Sequence, residues 1–407
     1  MLDAEAAPAL EAFDLRRLPA DFYENPYPIY HALRARDPIL LLPDGTYFVT
    51  GHPECVAIYR NPRLFSSDKH FEFHPKFGDS PLYRHHTTSL VFNDPPRHTK
   101  VRRLLAGALT QRVINETEVE VEALVSRLLD RMEEKGRVCL IADFAALIPV
   151  EVIGNLLAVP HEARGPLRAW SLAILGALEP APSPAMLEEG NRAVAEFIDF
   201  LLVLIAERRR RPGDPDRDIL TRFILGEGGE KLDEDELHHN CIFLLNAGHE
   251  TTTNLIGNAL YLLDRHPAVR AELLARPELM PSAIEEFLRF ESPVQFGNRR
   301  ALGAVEIGGK TLPEGALITL CIGAANRDPR VFSEPDRLDV TRHPNRHLAF
   351  GFGIHQCAGL NVARMEGRVA LSRFLARFPR YRLREGKVWG GRARFRGFLA
   401  LPAELAP

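Results

Sequence analysis

The 407-residue chain has few cysteines, no long apolar run and no surplus of positive charge. A net charge of −3 argues against a nucleic-acid-binding protein, which would carry a basic surplus. The cysteines are far apart and form no C-x-x-C pair, which argues against a disulfide framework and a zinc knuckle. These cysteines are Cys55, Cys139, Cys241, Cys321 and Cys357. Except for Cys357, we interpret them as small core residues.

The sequence also lacks a recognisable targeting or membrane-spanning segment. The first residues, MLDAEAAPALEAFDL, are acidic and have no basic or apolar region typical of a signal peptide. The most apolar stretch, residues 197–206, is interrupted by Asp199, whereas a membrane span needs roughly 20 apolar residues. We therefore expect a soluble, cytoplasmic protein. The basic run 208–211 is interpreted as a solvated helix end, with a membrane-surface contact as the alternative.

Apolar periodicity predicts a mainly α-helical chain with a minor β-sheet lobe. The longest predicted helix covers residues 233–266, with a capping box formed by Asp233 and Glu236. Short strands are predicted from Val294 onward and again near the C-terminus. A proline-rich stretch, 179–185, is interpreted as a mobile loop between two helices. No linker or repeat marks a boundary, so one large domain and two lobes sharing a core both fit.

The stretch FGFGIHQCAG, residues 350–359, has the features of a metal-binding loop. Gly351 and Gly353 permit a tight backbone path, and Cys357 lies just before a predicted helix. A thiolate at a helix N-terminus is stabilised by the helix dipole and by free N–H groups. The alternative is a core cysteine that follows a glycine-rich turn.

This stretch resembles the haem-binding loop of the cytochrome P450 superfamily. The resemblance implies that Cys357 is the proximal iron ligand, whose thiolate favours O–O cleavage. It also implies that Phe350 packs near the sulfur and that His355 reaches a haem propionate. The implied cofactor is haem b (iron protoporphyrin IX). The implied fold is a triangular, single-domain helical prism over residues 1–407, with a tail at about residues 1–20 and the haem between the long central helix and the cysteine loop.

The long predicted helix contains AGHETT, residues 247–252. Ala247 and Gly248 are small, which allows something flat and bulky to approach the backbone. Glu250 and Thr251 place an acid and a hydroxyl where flanking residues are apolar, and a buried acid needs a partner or a proton. The segment resembles the family's oxygen-activation motif, which implies proton delivery by Glu250 and orientation of oxygen by Thr251. Two further threonines follow, so the choice of Thr251 depends on family spacing.

The segment AIEEFLRF, residues 283–290, places Glu286 and Arg289 on one helix face. By itself this pattern is typical of a surface ion pair. It is similar to the family's E-x-x-R, which implies a buried pair joined by another arginine. Arg337 and Arg342 are both candidates, and the sequence does not choose between them.

Haem propionates need cationic or hydrogen-bond-donating partners. His98 and Arg102 lie four residues apart on one predicted helix face, and Arg299 follows the E-x-x-R helix. The family resemblance implies propionate contacts for all three, although Arg300 is an alternative to Arg299.

The resemblance, which covers about residue 20 to the end of the chain, implies a monooxygenase that inserts one atom of O2 into a small apolar organic substrate. A haem-based gas sensor or carrier and a peroxide-driven variant are the alternatives, and Glu250 with Thr251 favours the O2 route. No dinucleotide-binding motif or P-loop is present. Electrons are therefore expected from a separate protein, and the resemblance implies a ferredoxin or flavodoxin with its reductase. The enzyme is expected to be a monomer.

Two surfaces follow from family placement. Lys100, Arg103 and Arg364 are a hypothetical docking patch for an acidic redox partner. The substrate pocket is expected to use 69–92, 168–186, Leu244, Ala247, 294–297 and strands near Phe398, with 179–185 as a hypothetical lid.

Overall fold

The computed structural model describes residues 13–406, which form sixteen α-helices and twelve short strands. The helices are α1 (Ala20–Glu24), α2 (Tyr27–Arg36), α3 (His52–Arg60), α4 (His70–Phe77), α5 (Pro81–Thr88), α6 (Arg97–Ala108), α7 (Gln111–Lys135), α8 (Leu147–Leu156), α9 (Leu167–Gly176), α10 (Pro184–Arg210), α11 (Ile219–Leu225), α12 (Glu234–Arg265), α13 (Pro267–Ala275), α14 (Met280–Phe290), α15 (Ile322–Ala325) and α16 (Leu360–Arg377). The prediction of a mainly helical chain is confirmed.

The strands form small sheets beside the helices. They are β1 (Ile39–Leu41), β2 (Tyr47–Val49), β3 (Phe65–Ser66), β4 (Arg137–Cys139), β5 (Phe296–Ala301), β6 (Val305–Ile307), β7 (Lys310–Leu312), β8 (Leu317–Cys321), β9 (Arg382–Leu383), β10 (Val388–Trp389), β11 (Phe398–Ala400) and β12 (Pro402–Glu404). The largest sheet has the order β1-β2-β8-β5-β3, in which β2 and β8 are parallel and the other pairs antiparallel. In the register of β2 and β8, Phe48 lies opposite Thr319.

Helix α12 is the long helix predicted from the sequence. The predicted capping box is present: Glu236 N donates to Asp233 Oδ1 at 2.8 Å, and Asp233 N donates to Glu236 Oε2 at 3.0 Å. The helix is 32 residues long, which at 1.5 Å per residue gives about 48 Å. It packs against α5, α8, α9, α14 and α16. Because α12 is surrounded in this way, most of its side chains are buried and the cavity described below lies along it.

The main core lies between α12 and its neighbours. Leu245 and Leu260 of α12 and Leu371 and Phe374 of α16 are fully buried in it. A smaller apolar cluster lies on the large sheet, around Val49 and Leu320. Phe287 of α14 is buried in the main core, and Leu348, just before the cysteine loop, is buried in the smaller cluster.

The N-terminal tail predicted at about residues 1–20 lies partly outside the described residues. Phe13 and Leu15 are buried, and the Phe13 ring lies 5.4 Å from that of Phe48. The basic run 208–211 forms the C-terminal end of α10, where Arg208 pairs with Asp218 and Arg209 with Glu234. Among residues 13–406, no helix combines the length and apolarity that a membrane crossing requires.

Candidate active site

A cavity of about 370 Å³ lies between α12 and the loop that precedes α16. Most of its lining is apolar, with Leu244, Leu90 and Val294 among the lining side chains. The thiol of Cys357, the hydroxyl of Thr251 and a group of nitrogen-bearing side chains also line it. The cavity therefore brings together the cysteine loop, Thr251 of the long helix and the residues predicted to bind propionates, whereas Glu250, Glu286 and Arg289 lie outside its lining.

The cysteine loop folds tightly because a glycine is required at one position. Gly353 has φ +74°, and a Cβ there would lie 2.3 Å from the carbonyl oxygen of Tyr59. Cys357 N donates to Phe350 O at 2.9 Å, which closes the loop. Phe350 lines the cavity beside Cys357, with the Arg364 guanidinium 5.0 Å from the centre of its ring.

The Cys357 thiol receives opposing influences. Burial raises its pKa, whereas the N–H of Gly359 and the positive charges of Arg102 and Arg364 act in the other direction. Burial has the larger effect, so the helix N-terminus and these arginines do not by themselves ionise the thiol. A bound metal ion would supply the missing positive charge and deprotonate it. The site therefore fits a metal ligand better than a free thiolate.

Four basic side chains converge beside the cysteine loop. His98, Arg102, Arg299 and His355 all line the cavity, and the rings of His98 and His355 lie 4.2 Å apart. Burial and the neighbouring arginines lower the pKa of His355 to about 2. Nε2 of His98 and Nε2 of His355 are buried without hydrogen-bond partners in the described chain. Such a cluster lacks an anion, and a dianionic ligand would supply it.

The guanidinium of Arg299, not that of Arg300, faces the cavity. Arg299 lies 4.9 Å from the ring centre of Tyr59, a lining residue that the sequence interpretation missed. Arg300 lies over Phe71 instead.

Helix α12 forms the opposite wall with Ala247, Gly248 and Thr251. Thr251 Oγ1 donates to Ala247 O at 2.7 Å. A Cβ at Gly248 would lie 2.4 Å from Ile153 Cδ1, so close packing against α8 gives a second reason for a small residue there. Of the neighbouring threonines, Thr252 also lines the cavity, whereas Thr253 does not.

Glu250 is buried and lies outside the cavity lining. Arg392 Nη1 donates to its Oε2 at 2.9 Å. Burial raises the pKa of Glu250, and the positive charge of Arg392 opposes that rise. The partner that a buried acid requires is thus an arginine from the C-terminal region, which the sequence did not indicate.

A second buried acid, Glu366 of α16, lines the cavity and was missed in the sequence. Burial raises its pKa to about 8, opposed by a hydrogen bond from Thr252. Its neighbours three and four positions away are all apolar: Val362, Ala363, Val369 and Ala370. An acid on an apolar helix face was the available signal.

Glu286 and Arg289 form a buried ion pair, with Arg289 Nη2 2.7 Å from Glu286 Oε1 and both side chains 0% exposed. The third arginine is Arg342, whose Nε lies 3.2 Å from Glu286 Oε2. Arg337 contributes only its carbonyl oxygen, which accepts from Arg289 Nη2 at 3.1 Å, while its side chain pairs with Glu334. The structure therefore decides between the two arginines that the sequence left open.

The predicted pocket segments line the cavity in part. His85, His86 and Leu90 to Phe92 represent the first segment, and Leu175 and Leu178 the second. Phe71 is 69% exposed, and Phe73 packs against Phe77 and Phe92. From the region near Phe398, Arg394 and Phe395 line the cavity, whereas Phe398 itself is stacked on Trp389 at 3.9 Å. Glu179, at the start of the proline-rich loop, accepts from Ala393 N and Arg394 N.

The three cations of the hypothetical docking patch are all paired with carboxylates. Lys100 pairs with Glu236 at 2.5 Å, Arg103 with Glu230 at 2.6 Å and Arg364 with Glu285 at 2.7 Å. An acidic partner would have to compete with these glutamates.

Comparisons with known proteins agree on one family. The model of the family Cytochrome P450 matches residues 178–386. The chain is 36% identical to the biotin biosynthesis cytochrome P450 of Bacillus subtilis (strain 168), over 94% of this chain and 96% of that protein. It is 38% identical to the vitamin D(3) 25-hydroxylase of Pseudonocardia autotrophica, over 95% of each chain. The crystal structure of P450BioI in complex with hexadec-9Z-enoic acid ligated acyl carrier protein superposes with a TM-score of 0.89, at 34% identity, covering 95% of this chain and 100% of that chain.

Proposed function

The chain belongs to the cytochrome P450 family and is a haem-iron monooxygenase acting on organic substrates, and from that premise we propose which of its residues bind the cofactor and supply protons. We propose that Cys357 is the iron ligand and that the cavity between α12 and the cysteine loop holds haem b. The observation that carries this proposal is the convergence of a buried thiol and four basic side chains on one apolar cavity. The absence of a C-x-x-C-H sequence supports a haem held without thioether bonds.

The residues present fit the group. Cys357 would ligate the iron, Phe350 would shield the sulfur, and Ala247 and Gly248 would face the macrocycle. His98, Arg102, Arg299 and His355 would hold the propionates, which satisfies the buried unpaired nitrogens. When bound, the haem supplies O2 activation, by which one oxygen atom enters the substrate and the other leaves as water with two electrons and two protons.

Proton supply on the α12 side is assigned to Glu250 and Thr251. Thr251 presents its hydroxyl to the cavity, and Glu250 is next to it in the chain but faces Arg392. A proton held at Glu250 would reach the cavity only when the carboxyl group leaves Arg392. This arrangement supports a relay in which the hydroxyl of Thr251 positions the proton at the cavity. The carboxyl group of Glu250 then supplies the next proton.

The substrate is proposed to be a small, mainly apolar molecule, because apolar side chains dominate the lining. Electrons come from a redox partner, which we propose to be a ferredoxin or a flavodoxin. A single domain is supported by the pairing of β2 with β8 and of β4 with β12, which joins distant parts of the chain. We further propose that the enzyme is a monomer and is located in the cytoplasm.

The first test is the absorption spectrum of the dithionite-reduced holoprotein with carbon monoxide. The wild-type protein should show the strongly red-shifted Soret band of a cysteine-ligated haem, and Cys357→Ser should lose it. Cys139→Ser, which changes a half-buried thiol outside the cavity lining, should keep it. A band that survives Cys357→Ser would refute the assignment of the ligand.

Stoichiometry separates the O2 route from the peroxide-driven alternative. With substrate, reductant and redox partner, O2 consumption should match product formation. Product formed only when hydrogen peroxide is added would contradict the assignment of Glu250 and Thr251 to O2 chemistry.

A further inference from the structure

Three buried histidines lie together beside the cavity, between α5 and α12. The rings of His85 and His86 lie 4.9 Å apart, and those of His85 and His239 lie 5.7 Å apart. All three are at most 2% exposed. Asn246 joins the group, because its Nδ2 lies 3.4 Å from His85 Nε2. His85, His86 and Asn246 line the cavity and form a polar wall on its α5 side, which is called the His86 wall below.

Two polar atoms of this wall have no hydrogen-bond partner within residues 13–406. They are Nε2 of His86 and Oδ1 of Asn246, and both are buried. A buried polar atom without a partner is unfavourable by about 1–3 kcal/mol, so proteins keep such atoms mainly where a ligand or water completes them. The side chains that carry these two atoms line the substrate cavity, so a molecule bound in the cavity is the candidate for the missing partner.

The surroundings of His86 favour an uncharged partner. Phe73, Phe77 and Phe92 lie 5.5–5.7 Å from its ring. Burial, together with the charges of Lys76 and Arg394, lowers the pKa of His86 to about 3, so its ring is neutral. A neutral imidazole offers one donor and one acceptor nitrogen but no charge to balance a carboxylate.

The two nearby cations are already directed at protein oxygens. Lys76 Nζ donates to Glu179 O at 2.6 Å. Arg394 Nη2 donates to Asn298 Oδ1 at 2.7 Å, and its Nε donates to Leu178 O at 3.2 Å. The carboxylates of Glu72 and Glu179 already act on both cations. A further carboxylate at this wall would therefore lose its hydration and be repelled by these two acids.

We propose that His86 and Asn246, supported by His85, form an anchoring site for an uncharged oxygen of the substrate, a hydroxyl or a ketone. A hydroxyl group suits both atoms, because it accepts from the His86 N–H and donates to Asn246 Oδ1. The anchor deepens the proposed function and rests on it: the substrate is an apolar molecule whose polar group lies against α5 while another part of it faces the reaction centre.

Isothermal titration calorimetry of the holoprotein with three ten-carbon probes tests this proposal. Decan-1-ol and decan-2-one should bind at least about tenfold more tightly than decanoate, the equivalent of about 1.4 kcal/mol. His86→Phe keeps an aromatic ring among the phenylalanines and removes the nitrogen. It should weaken alcohol and ketone binding about tenfold and leave decanoate binding unchanged.

His238→Phe is the matched control, because His238 lies on α12 next to His239 but outside the cavity lining. Its affinities should equal those of the wild-type protein. Decanoate binding as tight as the alcohol, or alcohol binding unaffected by His86→Phe, would overturn the anchor. If the proposed function is wrong, the carbon monoxide spectrum will lack the band of a thiolate-ligated haem. The order of the calorimetric affinities reports only on the anchor.

Discussion

The network around Glu286 and the wall around His86 contain buried polar groups that are satisfied to different degrees. Both oxygens of Glu286 accept hydrogen bonds, from Arg289, Arg342, Asn345 and the backbone of Asp339. In the His86 wall, Nε2 of His86 and Oδ1 of Asn246 are buried without a partner in the described chain. In the first region the carboxylate is fully bonded and Asn345 Oδ1 alone lacks a partner among the described residues, whereas in the second the unpaired atoms belong to side chains that line the cavity.

This difference separates two tasks of the enzyme. A network of charge-assisted hydrogen bonds around Glu286 holds α14 and the segment 335–345 in one arrangement, which supports the neighbouring cysteine loop. Unpaired groups at the His86 wall leave hydrogen-bonding capacity for a ligand. Substitutions should therefore change stability in the first region and binding or coupling in the second.

The largest effect is expected for Glu286→Leu. It leaves Arg289, which is 0% exposed, without its carboxylate. Breaking a buried pair in this way costs about 3–5 kcal/mol. Urea unfolding of the holoprotein measures this loss, and Glu334→Leu, which removes an exposed carboxylate, should stay within about 0.5 kcal/mol of the wild-type protein. Equal losses in the two variants would contradict the structural role of the network.

Glu366, a buried acid of the cavity lining that belongs to neither region, gives a pH-dependent effect. Its pKa is about 8 in the folded protein against 4.5 for the ordinary group. The folded protein thus keeps a proton that the unfolded chain releases, so stability falls as pH rises from 4.5 to 8. Glu366→Gln should remove this fall and gain a few kcal/mol at pH 8 relative to the wild-type protein, but little at pH 5. Urea midpoints across this range test it. Glu189→Gln, at an exposed site, should follow the wild-type curve.

A smaller effect distinguishes the two arginines near Glu286. Arg342→Ala removes a bond to Glu286 and one to Ser333 O at 2.7 Å, and we expect a loss of about 2 kcal/mol. Arg337→Ala removes only a side chain that is 62% exposed and keeps the carbonyl oxygen that Arg289 uses, so its loss should be below about 0.5 kcal/mol. The reverse order, measured by urea unfolding, would reassign the network.

The choice between Arg337 and Arg342 shows which contacts can be predicted from the sequence and which cannot. The cysteine loop, the capped long helix and E-x-x-R could be predicted, because each is a local pattern with fixed spacing. Arg342 and Arg392 could not be chosen, since their partners lie 56 and 142 residues away and chain folding alone determines those contacts. Glu366 left a signal on an apolar helix face, but the His86 wall did not, because its members come from two helices.

The smallest free-energy change is expected at the cavity wall, for Thr251→Val. Valine keeps the shape of threonine and removes the hydroxyl that donates to Ala247 O. O2 and reductant consumption should continue, while the share that ends in product should fall about tenfold, as expected for the loss of one hydrogen bond worth about 1.4 kcal/mol. Hydrogen peroxide should account for the difference.

Thr253→Val is the control for this prediction. Thr253 makes the same type of bond one turn back, to His249 O at 2.9 Å, but it lies outside the cavity lining. Normal coupling in Thr253→Val and poor coupling in Thr251→Val would assign the effect to a hydroxyl that faces the reaction centre. Equal uncoupling in both variants would instead assign it to the geometry of α12. The cavity wall formed by α12 would then act through the shape of its helix, as the network around Glu286 acts through structure. The contrast between a structural region and a ligand-binding region would be lost.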